Sequence, residues 1–169
     1  MLIPVFGSCP THLSDEQDRS RRMILGELGQ VGLEWRSLGQ TDYPNQFPLR
    51  EVLTLAKHCS GGLILGFSQF ETRAGTWKRG TGHENTQRGL VAFPSPWNHI
   101  EAGILYALGL PLLVFREQQV LGGVFDPGVT DLFVHEMPHG RLARRERRAL
   151  REITRKWGAK VHDTYYGKQ

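Results

Sequence analysis

Hydrophobic and polar positions along the chain alternate between short apolar runs and stretches with helical spacing. The segments with apolar or alternating patterns predict five β-strands, at LIPVF (2–6), LEWRSL (33–38), GGLILGF (61–67), PLLVF (111–115) and DLFVHEM (131–137). Apolar residues recur every three or four positions in the segments between them, which predicts helices at about 15–31, from 48 onward, at 96–108 and at 141–157. Strands that alternate with helices are typical of a doubly wound α/β domain, with a mostly parallel sheet and helices on both faces.

Helix-start signals support these assignments. Ser14 and Gln17 have the spacing of a capping box, in which two side chains satisfy free backbone donors at the start of a helix. Ser95 followed by Pro96 suits an N-cap and a first helical position, and Pro48 suits the first turn of another helix. Residues 68–93 are polar and rich in glycine, so we expect a long loop there, of the kind that forms lids or binding loops.

Length and composition favour a single domain over residues 1–169. The chain has 39% hydrophobic and 22% charged residues, as ordinary globular proteins have. It contains no apolar run of the roughly 18 residues that a membrane span needs, and no secretory signal is expected. Cys9 and Cys59 have no zinc-binding spacing and form no disulfide framework, so we expect a cytoplasmic protein without a metal.

Positive charge is concentrated near the C-terminus. Residues 141–156 contain eight basic and two acidic residues, a local charge of +6, and taking 6 from the net charge of +4 leaves −2 for the rest. A solvated helix face is the usual interpretation of such a run. The more specific interpretation is a nucleic-acid-binding surface. It predicts a salt-dependent affinity for nucleic acid that is lost when Arg144, Arg145, Arg147 and Arg148 are neutralised. Nucleic acid is not the expected partner.

The predicted topology indicates where a ligand binds. In doubly wound sheets, ligands bind in the crevice beyond the carboxyl ends of the strands. That rule brings together the Gly7-Ser8 pair, the 40–48 loop, Phe67 and the start of the helix at Trp97. We therefore expect a binding site at this edge of the sheet.

Glu101 is the acidic residue that stands out near this edge. Helical geometry places Trp97, Glu101, Ile104 and Leu108 on one face, so Glu101 borders the apolar stripe. A carboxylate there must be paired or have a raised pKa, because burying an unpaired charge is costly. Two interpretations stay open: a structural carboxylate paired with an arginine or a backbone group, and a catalytic carboxylate beside an aromatic platform.

The stretch WNHIEAGILYALGLPLLVF resembles a helix–strand element of the nucleoside 2-deoxyribosyltransferase-like and TIR-like superfamily. VFGS, RSLGQTDYP and CSGGLILGF agree with earlier elements of the same layout. The resemblance implies an N-glycosidase or glycosyl transferase that acts on NAD or a related nucleotide or nucleoside, with Glu101 as the catalytic glutamate. It also implies self-association into a homo-oligomer, and a role as effector or signal producer in bacterial antiphage immunity.

The physical requirements of this chemistry fit the residues. Breaking an N-glycosidic bond develops positive charge on the sugar, which an anionic carboxylate stabilises or traps. We expect Trp97 and Asn98 to frame the base or ribose. The remaining pocket residues are expected to be Phe6, Gly7, Ser8, Tyr43 and Phe67, and the loop cations Arg73, Lys78 and Arg79 could clamp a phosphate.

Several alternatives remain. Asp42 is the candidate for a second catalytic carboxylate, and without one, hydrolysis and cyclisation stay open beside transfer. A non-catalytic nucleotide-sensing or self-associating module of the same fold is the second hypothesis. His135 and His139 have metal-like spacing, but Pro138 interrupts it, and Cys9 is expected to be a small core residue. The chain has neither G-x-G-x-x-G after its first strand nor a P-loop, so no cofactor is expected and NAD would be a substrate.

Overall fold

The computed structural model describes residues 1–39, 42, 47–130 and 132–167, and its central feature is a five-stranded parallel sheet. The strands of the described residues are β1 (Ile3–Ser8), β2 (Leu33–Arg36), β3 (Gly62–Gly66), β4 (Phe70–Trp77), β5 (Asn85–Phe93), β6 (Leu112–Arg116) and β7 (Val134–Glu136). The sheet order is β2-β1-β3-β6-β7, and every adjacent pair is parallel. The predicted α/β class with five sheet strands is confirmed.

Four helices cover the two faces of this sheet. Their bounds are α1 (Asp15–Gln30), α2 (Pro48–His58), α3 (Pro96–Ala107) and α4 (Arg144–Gly167). Ile24 of α1 and Trp157 of α4 pack in one hydrophobic cluster, whereas Val52 of α2 and Leu105 of α3 pack in the other. The two clusters lie on opposite faces of the sheet because side chains of successive strand residues point to opposite sides.

The helix starts follow local chemistry. Ser14 and Gln17 form both hydrogen bonds of the predicted capping box, and Ser95 accepts from the backbone N–H of Trp97 at the start of α3. Pro48 begins α2, as predicted. Helix α4 was predicted over 141–157 but extends to Gly167, because buried Val161 continues its apolar stripe beyond Trp157.

The predicted long loop at 68–93 is instead a β-hairpin formed by β4 and β5. The two strands pair antiparallel, with a register shift between Thr72 and Ala74. Nearly all of β4 is exposed, so its residues lack the apolar alternation by which a half-buried strand is recognised. A backbone bond from Leu121 to Ala92 ties the base of the hairpin to the segment after β6.

The order of the strands creates a crevice between β1 and β3. From β1 the chain crosses to β2 on one side, whereas from β3 it crosses to β6 on the other. This reversal is the topological switch point at which doubly wound sheets bind ligands. None of the helices within the described residues is long and apolar enough to cross a membrane.

Candidate active site

A cavity of about 210 Å³ opens at the carboxyl end of β1, beside the switch point. Four segments contribute its walls: the loop after β1, the loop after β2, the start of α2 and the first turns of α3. The lining residues are Cys9, Pro10, Thr11, Leu38, Gly39, Pro48, Ser95, Trp97, Asn98 and Glu101. The cavity therefore lies where the strand-end rule predicts a ligand site, and it contains the glutamate singled out from the sequence.

Glu101 is partly buried at the edge of the core-facing stripe of α3. That stripe consists of Asn98, Ala102 and Leu105, which are all buried, whereas Trp97 and Leu108 of the predicted apolar stripe are exposed. Burial raises the pKa of Glu101 from 4.5 to about 7, and a hydrogen bond from the Ser8 hydroxyl opposes this rise. The carboxyl group can therefore exchange a proton near neutral pH, as an acid–base group or a switchable anion must.

A hydrogen-bond network runs from Asn98 through Ser8 to the Glu101 carboxyl group. The Asn98 amide nitrogen donates to Ser8 Oγ at 2.8 Å and to the Leu65 carbonyl oxygen at 3.4 Å. Because Ser8 Oγ accepts from Asn98, its own proton is available to Glu101. The network joins the ends of β1 and β3 to α3, and its bond from Ser8 holds the Glu101 carboxyl group in place.

Trp97 lies at the mouth of the cavity, on the turn of α3 before Glu101. The residue is 42% exposed, so part of its side chain is open to a ligand. Exposed aromatic rings beside a cavity suit the stacking of a nucleobase or pyridine ring. The structure therefore brings Trp97, Asn98 and Glu101 together in the lining of one cavity.

Cys9 also lines the cavity, which the sequence analysis did not predict. Burial raises the pKa of its thiol to about 12, and the Glu101 charge adds to this, while Arg21 opposes it. The thiol donates to the carbonyl oxygen of Pro10 at 3.5 Å and packs against the core. A thiol that stays protonated at neutral pH is a poor nucleophile, so we assign Cys9 to the wall of the cavity and not to the chemistry.

Other predicted pocket residues lie elsewhere. Phe6 and Phe67 are fully buried in the two hydrophobic clusters, and neither lines the cavity. Gly7 is covered by the ring of Trp35, whose atoms lie 2.3 Å from where a Cβ of residue 7 would be. Tyr43 lies outside the described residues. Most of the missed lining residues follow β1 or β2 closely, so applying the strand-end rule residue by residue could have found them: Cys9, Pro10, Thr11, Leu38 and Gly39. The other two, Pro48 and Ser95, lie at the starts of α2 and α3.

Asp42, the candidate second carboxylate, is ion-paired with Arg36 on both oxygens. The pair lies in a separate depression with Glu51 and His58, and Asp42 does not line the cavity of Glu101. Its tertiary position thus separates it from the site. Among the lining residues that the structure describes, Glu101 is the carboxylate.

The charged loop and helix residues also lie away from the cavity. Arg73, Lys78 and Arg79 belong to the hairpin, and none lines the cavity. Arg141 precedes α4, whereas the other arginines of the C-terminal run lie on the N-terminal half of that helix, and several arginines of the run line a groove between α1 and α4. Because none of these cations lines the cavity, the structure gives no support for a phosphate clamp formed by them.

The histidine pair gives no metal site in the described part of the chain. His135 packs against the ring of Phe115, with ring centroids 5.6 Å apart, and burial lowers its pKa. Residues 1–39, 42, 47–130 and 132–167 contain no group of three or more histidine, cysteine, aspartate or glutamate side chains placed to hold a metal ion.

Comparisons with known proteins give one structural similarity. No family model matches the chain, and no curated protein sequence matches it. The chain is similar to the metal-soaked Flv1 flavodiiron core from Synechocystis sp. PCC6803, with 8% identity and a TM-score of 0.45. The similarity covers 98% of this chain and 36% of that one, so the chain spans about a third of that structure. At this TM-score the similarity carries no argument about function.

The predicted membership of the deoxyribosyltransferase-like and TIR-like superfamily is therefore wrong. The comparisons return a flavodiiron core and no matching family model. The physical reason is that small residues such as Ala102, Gly103, Gly109 and Pro111 suit any helix–turn–strand unit packed on a parallel sheet. The expectation of an immune effector rested on that resemblance alone and stays a prediction.

Proposed function

We propose that this chain cleaves the N-glycosidic bond of a nucleotide or nucleoside, with NAD in that substrate class, and that Glu101 is the catalytic carboxylate. One observation carries the proposal: a partly buried glutamate with a pKa of about 7 lines a cavity whose mouth carries the exposed ring of Trp97. The proposal rests on this arrangement of side chains and on the chemistry of the reaction, without support from any family.

The charge changes of the reaction match the site. When the bond between C1′ and the base nitrogen breaks, its electron pair leaves with the base and positive charge develops on the sugar. An ionised Glu101 stabilises that charge, or it forms a bond to C1′ that a second group later displaces. Water, a second base or a group of the same substrate can then accept the sugar. Hydrolysis, transfer and cyclisation thus share this first step.

The raised pKa of Glu101 is compatible with an anionic role. In the free protein, a carboxyl group with a pKa of about 7 is roughly half ionised at neutral pH. A substrate with a cationic ring, such as the pyridinium of NAD, favours the ionised form when it binds beside Glu101. We therefore expect the rate at low substrate concentration to rise with pH through about 7.

The test compares wild type with Glu101→Gln in the release of nicotinamide from NAD and of free base from a nucleoside panel, followed by chromatography. Glutamine keeps an oxygen to accept from Ser8 but cannot ionise, so we expect a loss of about 100-fold or more. Glu136→Gln, an exposed substitution on β7, is the matched control. Equal rates for Glu101→Gln and wild type, or no turnover by wild type across a range of protein concentrations, would contradict the proposal.

A non-catalytic nucleotide-binding module is the second candidate function. The observation that favours it is the ion pair of Asp42 with Arg36, which leaves Glu101 without a second carboxylate among the described lining residues. Such a module binds a nucleotide with one-to-one stoichiometry and releases no base. Calorimetric titration with the same compounds distinguishes it from the enzyme.

A further inference from the structure

Asn98 lines the cavity, and its side chain carries a buried acceptor that no described residue satisfies. Asn98 is 1% exposed and lines the cavity, and its Oδ1 has no hydrogen-bond partner among the described residues. Buried polar atoms are nearly always paired, because an unpaired one costs free energy. This oxygen is therefore an exception with a cost, at the place where a ligand would bind.

The orientation of the Asn98 amide is fixed by its neighbours. Its nitrogen has two protons, and the two acceptors in reach are Ser8 Oγ and the carbonyl oxygen of Leu65. A carbonyl oxygen only accepts, so rotating the amide would place two acceptors against each other at Leu65. Asn98 Oδ1 is thus a fixed acceptor, and it selects ligands with an N–H or O–H donor at that position.

The position of this acceptor indicates which part of a ligand meets it. Asn98 and Glu101 are three residues apart on α3, so their side chains are neighbours on the helix surface. Trp97 is 42% exposed at the mouth, whereas Asn98 is buried at the base. A ligand whose base stacks on Trp97 therefore directs its sugar inward, towards Asn98 and Glu101.

We propose that Asn98 Oδ1 accepts a hydrogen bond from the 2′-hydroxyl of the substrate ribose, so that the site selects ribosides over 2′-deoxyribosides. Glu101 must lie close to C1′ to act there, and the 2′-hydroxyl is on the carbon next to C1′. The sugar hydroxyl next to the reacting carbon is therefore the donor that a neighbour of Glu101 on the same helix meets. This inference rests on the proposed function, because it uses Glu101 as the group beside C1′.

The experiment compares the ratio of kcat/KM for NAD to that for the analogue whose nicotinamide ribose lacks the 2′-hydroxyl. The ratio is measured for wild type, Asn98→Leu and Ser8→Ala. Removing the acceptor should reduce the preference for ribose by about 10- to 100-fold, because the deoxy substrate no longer leaves Oδ1 unpaired. Comparing this ratio between variants cancels the intrinsic reactivity of the two sugars and any general damage to the fold.

Ser8→Ala is the matched control, since it disturbs the same network but keeps Asn98 Oδ1 in place through Leu65. Its ratio should equal that of wild type. Should Asn98→Leu not fold, Asn98→Ala replaces it. A ratio in the Asn98 variant equal to that of wild type overturns the inference, even where Glu101→Gln still supports the proposed function.

The opposite failure is also distinguishable. If wild type releases no base from any substrate, the proposed function fails, and the inference is then tested by calorimetric binding of AMP and 2′-deoxy-AMP. A preference for AMP that Asn98→Leu removes and Ser8→Ala keeps supports the role of Asn98 in binding. Equal affinity for the two nucleotides, or no binding of either, overturns it.

Discussion

Replacing Glu101 by glutamine should stabilise the protein, and by an amount that depends on pH. The pKa of Glu101 is about 7 in the folded protein, against 4.5 for an exposed glutamate. The folded state therefore holds a proton that the unfolded state has released at intermediate pH. Since a difference of one in pKa corresponds to about 1.4 kcal/mol, this carboxyl group costs about 3 kcal/mol of stability above pH 7.

The direction of the pH dependence follows from the same two pKa values. Below pH 4.5 the carboxyl group is protonated in both states, and the cost is absent. As the pH rises from 4.5 to about 7, the unfolded state loses its proton first, so wild type loses stability relative to Glu101→Gln. Above pH 7 the difference is constant. Glutamine has nearly the same shape and still accepts from Ser8, so packing changes little.

Urea unfolding followed by tryptophan fluorescence measures this difference at about pH 4.5 and at about pH 8. Glu136→Gln accounts for the loss of one exposed negative charge. The expected result is a variant of nearly wild-type stability at the lower pH and one more stable by about 3 kcal/mol at the higher pH. If the free-energy difference between Glu101→Gln and wild type is the same at both values, the argument from burial is refuted.

Three further predictions concern the walls of the site and the sheet beneath it. Trp97→Ala should raise KM about 5- to 100-fold with a smaller change in kcat, whereas Trp97→Phe keeps most of the affinity, because the stacking ring is what the mouth contributes; steady-state kinetics with NAD checks both. Gly7→Ala should lower the free energy of unfolding by about 1–3 kcal/mol, since the new Cβ overlaps the Trp35 ring. Gly26→Ala in α1 meets open space and should raise the free energy of unfolding by about 0.5–1 kcal/mol. Urea titration compares the two variants, and an equal response contradicts the packing argument. Alkylation of Cys9 by iodoacetamide, followed by peptide mapping, should be slow at pH 8, since its pKa is about 12, and labelling at the rate of a free thiol would contradict the burial of its sulfur.

The sequence predicted the starts of two helices correctly but missed the β-hairpin. The starts of α1 and α3 were predictable because capping is local: Ser14 and Ser95 satisfy backbone donors two or three residues away. The hairpin of β4 and β5 was missed because an exposed strand has no buried face to impose alternation. Its pairing is recorded in contacts between residues that are distant along the chain, such as Phe70 and Phe93.

In the candidate site too, the sequence predicted the local arrangement within one helix, whereas contacts between distant residues needed the tertiary structure. The sequence determined the positions of Trp97, Asn98 and Glu101, since residues three or four apart on a helix must be neighbours. Only the tertiary structure decided that Ser8, 90 residues from Asn98 along the chain, meets that amide, and that Asp42 pairs with Arg36 away from the cavity. Periodicity reports which side of an element is buried. The order of the strands decides what lies against it, and that contact fixes both the pKa of Glu101 and the free acceptor of Asn98.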